Sequence, residues 1–406
     1  MVGHNDGRSL AALRSLAVVL LGGLVLAGCE GEEVRPLEPE GGEMFTSYVA
    51  MGTSNTAGFQ SGGINDSTQR ASYAAMVAEA MGAEFNLPLL ASPGCPPPVI
   101  NIYTGETVGG EEAPECGGRI TPPPPVLHNV AVPGARVSDA LNITGDGATP
   151  TPLTTFILGG RTQVRAAREA DPTFVTVELG SNDVLEAALS GDTTVITPPS
   201  TFAQQYGAVL DSVDRGSVEG GVLIAVPDVT LIPHLSPGSA YYAADQQGAF
   251  PPTFSVHESC SPNQLGDATL VPFRYAFGQL LAQAQAGQAV ELNCAADPEV
   301  LQPAEIGAVR RAVTAYNATI QAEADERDWA YVDPNPTLQQ LRQQGDIPLF
   351  PNTPGASPQE AVEEPFGPYF SKDGIHPSRQ LHRTFAGAVV QAINDQYDTS
   401  LSSPGS

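Results

Sequence analysis

The chain has 406 residues, 41% of them hydrophobic, enough for a core in one large domain or two smaller ones. Acidic residues outnumber basic ones 45 to 18, giving a net charge of −27, and Lys372 is the only lysine. A surface so acidic repels nucleic acid and anionic membrane faces, which sets both aside as partners. GC-rich coding, which favours Arg over Lys, accounts for this balance, and so does adaptation to high salt, where counter-ions screen self-repulsion.

The first residues read as a targeting segment. Arg8 and Arg14 precede an apolar run from Leu16 to Ala27 that is too short for a comfortable membrane span. The run ends in Leu26-Ala27-Gly28-Cys29, which resembles a bacterial lipobox. Residues 1–28 are therefore expected to be a lipoprotein signal peptide, with lipid on the thiol of Cys29. The acidic cluster Glu30-Gly31-Glu32-Glu33 is similar to the surface-export signal of some bacterial lipoproteins. The expected location is the outer membrane or cell surface, held there by the lipid. Residues 29–43, rich in Glu, Pro and Gly, read as a flexible tether.

Beyond the tether, apolar runs alternate with helical periodicity. Met44 to Met51 reads as a strand, Arg70 to Gly82 as a helix stopped by its glycine, and Leu127 to Val132 as a second strand. Thr173 to Leu179, Val222 to Val226 and Trp329 to Val332 read as three more buried strands. Pro303 to Arg327 carries Ile306, Val309, Val313, Tyr316 and Ile320 on one helical stripe, with Pro303 suited to the first turn. Arg379 to Gln396 reads as a closing helix with Leu381, Phe385, Val389 and Ile393 on its apolar face. This alternation predicts an α/β fold around a parallel, five-stranded sheet in a single domain over 44–400.

Three stretches stand outside the alternation: 91–125, 233–298 and 333–370. In a doubly wound sheet, ligands bind beyond the carboxyl ends of the strands. The second and third stretches follow strands and are expected to wall the site, so His234 and His257 are candidates to touch substrate. The first follows a helix and is expected at the opposite end, with a structural role. Apart from Cys29, four cysteines remain, an even count that suggests two disulfides outside the cytosol. Of three possible pairings, Cys95–Cys116 and Cys260–Cys294 are favoured because each staples one of these long stretches. In the chain-entropy model such closures contribute about 3–4 kcal/mol each. With no Cys-x-x-Cys and scattered histidines, no metal site is expected.

The chemistry lies in the short clusters at the strand ends. The first strand ends in Gly52-Thr53-Ser54, the second in Pro133-Gly134-Ala135, and the third in Gly180-Ser181-Asn182-Asp183. After the last strand comes Asp373-Gly374-Ile375-His376. Acyl transfer needs an activated hydroxyl, a base, a group that orients the base, and donors for the oxyanion. Ser54 on a tight turn supplies the first, His376 the second, and Asp373, three residues before it, the third. The N–H groups of Ser54 and Gly134 and the Asn182 side chain are candidate oxyanion donors. Gly52 and Asp183 are expected to support the site, and Asp183 is more readily a structural carboxylate than a catalyst. His128 and His382 read as surface or core histidines.

These four blocks, in this order and at this spacing, resemble the SGNH (GDSL-like) hydrolases, named for Ser, Gly, Asn and His. The resemblance spans essentially the whole mature chain. It implies a three-layer α/β/α, flavodoxin-like fold and hydrolysis of carboxylic esters through an acyl-enzyme on Ser54, without metal or cofactor. In one departure, Thr53 stands where the family usually has an acidic residue. Polysaccharide O-acetyl esters are the alternative substrate. A surface-binding lipoprotein that keeps the fold without activity is the alternative class.

Overall fold

The computed structural model describes residues 42–112, 114–142, 152–352 and 362–404. The signal peptide, Cys29 and nearly all of the tether lie outside these residues.

Four strands form the central sheet: β1 (Tyr48–Gly52), β2 (Phe174–Glu178), β3 (Gly220–Ile224) and β4 (Ala330–Val332). They lie in the order β1-β2-β3-β4, and every pair is parallel. All residues of β1, β2 and β3 are buried, as a parallel sheet covered on both faces requires. Successive side chains point to opposite faces. Tyr48, Ala50, Phe174, Val222 and Ile224 pack with the helices Tyr73–Met81 and Arg379–Tyr397. Val49, Met51, Val175, Val177 and Leu223 pack with Val137–Leu141, Gln163–Glu169, Asn182–Ser190, Pro199–Val213 and Pro303–Arg327. The result is the three-layer α/β/α arrangement expected. The stripe read on Pro303–Arg327 is buried throughout, and each such side chain contributes about 1.5–3 kcal/mol of burial.

Among the described residues the sheet has four strands, not five. The segment 127–132 does run beside β1, with Ala50 N–H on the His128 carbonyl at 2.8 Å and Val130 N–H on that of Ala50 at 2.9 Å. It pairs as a strand at one bridge only, Ala50 with Asn129. Two side chains divert the ladder. Gln163 accepts the Gly52 N–H at 3.0 Å and donates to the Gly52 carbonyl at 2.9 Å, which it shares with Val132 N–H at 3.2 Å. Asn129 accepts its own Ala131 N–H at 3.1 Å and donates to the Thr56 carbonyl at 2.8 Å.

The three long stretches are more ordered, and differently placed, than the sequence implies. Residues 233–298 hold a helix at Gly238–Gln246, a wide helical turn at Arg274–Leu281 and two small sheets. Both favoured disulfides are present, Cys95–Cys116 and Cys260–Cys294. Residues 91–125 do not lie at the opposite end. After the turn at Gly82, the chain runs back along the body in extended form, exchanging Asn86 and His128 hydrogen bonds on the way. It arrives at the carboxyl edge, where Cys95 N–H meets the Ile64 carbonyl at 2.9 Å and Val99 N–H meets that of Ser61 at 2.8 Å. There Tyr103 packs on Phe273 and Phe277, while Phe277 also meets Phe350. One aromatic cluster therefore joins all three stretches into a cap.

Candidate active site

Ser54 opens a one-turn helix, Ser54–Ala57, directly off β1, and is 9% exposed. Such a sharp strand-to-helix turn demands a glycine: a Cβ on Gly52 would lie 2.2 Å from Thr56 Oγ1. The turn is held from beneath by Glu178, the last residue of β2, which is 3% exposed. Its carboxylate accepts from Thr53 N–H at 3.2 Å, from the Thr53 hydroxyl at 2.8 Å and from the Thr56 hydroxyl at 3.0 Å. It also accepts from the Ser181 hydroxyl at 3.2 Å, which links the first block to the third. Burial raises the Glu178 carboxyl above its ordinary pKa, against the lowering effect of these hydrogen bonds. Thr53 is thus the partner of an acid supplied by the neighbouring strand.

Gly134 turns the chain at φ 80°, and Asn182 starts the helix Asn182–Ser190. One amide proton of Asn182 goes to the Ala135 carbonyl at 2.9 Å, so the second and third blocks are joined and one proton is left to donate. Among the described residues, neither Ser54 N–H nor Gly134 N–H donates to a backbone acceptor. Asp183 has a structural role. Its buried carboxylate accepts from Val137 N–H at 3.1 Å and the Thr197 hydroxyl at 2.7 Å, and desolvation pushes its pKa up to about 6.

The fourth block forms a tight loop before the closing helix. Asp373 Oδ2 accepts from His376 Nδ1 at 2.7 Å and from Gly62 N–H at 2.7 Å. Oδ1 accepts from Ile375 N–H at 2.8 Å and His376 N–H at 2.9 Å. Burial alone would raise this carboxyl, but the His376 charge and these donors hold it well below the usual carboxylate range. With Nδ1 bound to Asp373, Nε2 is the basic nitrogen of His376. The turn leaving Ser54 is stitched to this loop. Phe59 N–H returns to the Ser54 carbonyl at 2.9 Å, and its ring lies 4.9 Å from the His376 imidazole. Ser61 donates N–H to Ser371 Oγ at 2.8 Å and accepts Lys372 N–H at 3.1 Å. Lys372 Nζ in turn donates to the carbonyls of Val362 and Glu363.

Of the other histidines, His234 sits under the same loop, buried, with its Nδ1 on the Asp373 carbonyl at 2.8 Å. It does not face substrate, because its ring and main chain are consumed by protein partners. His257 caps the short helix Glu258–Cys260, accepting Ser259 N–H at 3.1 Å. His128 and His382 are buried and accept from Asn86 N–H and Tyr73 N–H. Glu178 does not stand out in the sequence as a site residue, and His234, expected as a candidate for substrate contact, instead supports the Asp373 loop. The signal for Glu178 was a lone acid closing an otherwise apolar strand.

A fold with four loops converging at the carboxyl edge, carrying Ser, Gly, Asn and an Asp–His pair, defines an SGNH-type serine hydrolase. Residues 48–389 match the family model of the GDSL-like lipase/acylhydrolases, and the chain belongs to that family. It is a serine ester hydrolase. No curated protein matches its sequence. Solved structures similar to it include an acetyl xylan esterase from Geobacillus stearothermophilus, at 12% identity and a TM-score of 0.39, covering 88% of this chain and 97% of that one. An α/β hydrolase from the metagenome of Lake Arreo, Spain, is similar at 14% identity and a TM-score of 0.37, covering 86% and 97%. TesA is similar at 12% identity and a TM-score of 0.36, covering 86% and 99%. The family assignment rests on the sequence match alone.

Proposed function

We propose that Ser54 is the nucleophile, His376 its general base and Asp373 the group that orients the base. In this reading His376 Nε2 takes the Ser54 proton as the oxygen attacks an ester carbonyl. Ser54 N–H, Gly134 N–H and the Asn182 amide receive the oxyanion. The imidazolium returns its proton to the leaving alkoxide, which departs as alcohol. Water, deprotonated by the same nitrogen, then releases the acid and restores Ser54. The observation that carries the reading is the Asp373 carboxylate, which through one oxygen binds His376 and the backbone N–H of Gly62 in the segment that leaves Ser54.

Chromogenic esters of graded acyl length, tested with the wild type and Ser54→Ala, decide it. Turnover is expected in the wild type and is lost in the variant; equal turnover in both would assign the chemistry to another group. An optimum at acetyl would favour carbohydrate or other acetyl esters, and a longer optimum would favour lipid esters.

The Leu26-Ala27-Gly28-Cys29 tetrad and the two disulfides support a second part of the proposal. The enzyme works outside the cytosol, tethered to a membrane by lipid on Cys29, at the outer membrane or cell surface. Fractionation tests this. The wild type is expected with membranes and Cys29→Ala in the soluble fraction; identical partitioning would exclude the anchor.

A further inference from the structure

His234 is the point at which the cap meets the Asp373 loop. It makes four hydrogen bonds, two to each side. Toward the loop, its N–H donates to the Gly374 carbonyl at 2.9 Å and its Nδ1 lies 2.8 Å from the Asp373 carbonyl. Toward the cap, its carbonyl accepts Phe273 N–H at 2.7 Å and its Nε2 accepts Arg274 N–H at 3.3 Å. Because Nε2 accepts, the ring proton sits on Nδ1 and is donated to Asp373.

The contact leaves no slack. His234 is 6% exposed, and its ring lies 5.9 Å from that of Phe273, which stacks on Phe277 at 4.7 Å within the cap's aromatic cluster. Gly374 follows Asp373 in the left-handed region, at φ 68°. A Cβ there would stand 3.0 Å from both His234 N and the Phe366 ring. The loop that carries Asp373 therefore rests directly on His234.

We propose that His234 is a positioning residue: it fixes the Asp373 loop so that the carboxylate meets His376, and it makes that alignment depend on the 233–298 segment. This rests on the roles proposed for Asp373 and His376. His234 touches neither substrate nor the reacting atoms. A small displacement of a catalytic group costs rate steeply, and misplacement by about 1 Å can cost about a hundredfold.

Three variants separate its two ring contacts. In His234→Asn the amide nitrogen lies near the place of Nδ1 and can still donate to the Asp373 carbonyl. In His234→Gln the amide reaches toward the place of Nε2 and serves the cap side. His234→Ala loses both. Two readouts are taken on folded full-length protein: the deshielded proton of His376 Nδ1 by NMR, which needs no turnover, and kcat with KM on the preferred chromogenic ester. In His234→Ala the proton resonance is expected to move upfield or broaden, and kcat to fall about tenfold to a hundredfold, with KM within about twofold. His234→Asn restores both readouts and His234→Gln does not.

An unchanged resonance and kcat in His234→Ala would overturn the proposal. So would equal recovery by Asn and Gln, which would mean that the ring only fills space. If His234→Ala fails to fold, the Asn and Gln variants decide between these outcomes. If the wild type hydrolyses no ester, the ester reading fails by itself, and the proton resonance still decides the role of His234.

Discussion

The two halves of the site are held by different parts of the molecule. The Ser54 turn is fixed from beneath, by Glu178 on the adjacent strand of the central sheet. The Asp373–His376 loop is fixed from the side, by Gly62 of the Ser54 segment and by His234 at the foot of the cap. The nucleophile half thus depends on the shortest path in the fold, a buried hydrogen-bond network between two neighbouring strands. The base half depends on a segment more than a hundred residues away in sequence and stabilised by its own disulfide.

Three substitutions probe this contrast. The largest effect is expected at the base. In Asp373→Asn the amide sets a donor against donors whichever way it turns, because Oδ2 receives Gly62 N–H and His376 Nδ1 while Oδ1 receives two backbone N–H groups. The His376 tautomer is then wrong, and kcat should fall by about 10³–10⁴ with the melting temperature only modestly changed. Retention of more than a tenth of the activity would show that Asp373 does not orient the base.

The smaller effects are on stability against pH, and they have opposite signs in the two halves. On the closing helix beside the base, His382 is held to a pKa of about 3, by burial first and then by the nearby His376 and Arg379 charges. The unfolded chain binds a proton there near 6.5 and the folded chain does not. Stability from this group is therefore complete above about 6.5 and is lost as pH falls toward 3. Between pH 7 and pH 5 this amounts to about 2 kcal/mol. His382→Leu should flatten the acid limb of a urea-denaturation series by that amount. Glu178 works the other way. Its folded pKa is raised, so its contribution is complete below the unfolded value and is lost as pH rises through the raised one. Glu178→Gln should therefore steepen the acid limb. If both variants shift the limb in the same direction, the electrostatic contrast between the halves is wrong.

Much of this was legible in the sequence. Ser54, Gly134, Asn182 and the Asp373–His376 spacing are short-range signals, each placed after a run of buried β-formers. The long helix Pro303–Arg327 was readable to the residue because its stripe, its first-turn proline and its polar outer face agree. The helices Asn182–Ser190 and Pro199–Val213 are masked in the sequence by the motif that opens the first and the Pro198-Pro199 pair that opens the second. Glu178 was hidden because a strand written TFVTVEL reads as buried β-structure, and only Thr53 and Thr56, brought to it by the turn after β1, show why an acid belongs there. The place of 91–125 depended on an extended return run without periodicity. His234 read as a candidate for substrate contact because the loop it supports comes from 139 residues further along the chain.

Lys372 gives this arrangement a practical consequence. It is the single side-chain amine of the 406-residue chain, and it stands next to Asp373 in the tight loop of the base. Burial lowers its pKa, and its ammonium is spent on the carbonyls of Val362 and Glu363. A chemist wishing to attach a dye, a spin label or a solid support through lysine has one address on this molecule, and it is in the loop proposed to hold the base. Immobilisation through lysine side chains would here act on the proposed site itself.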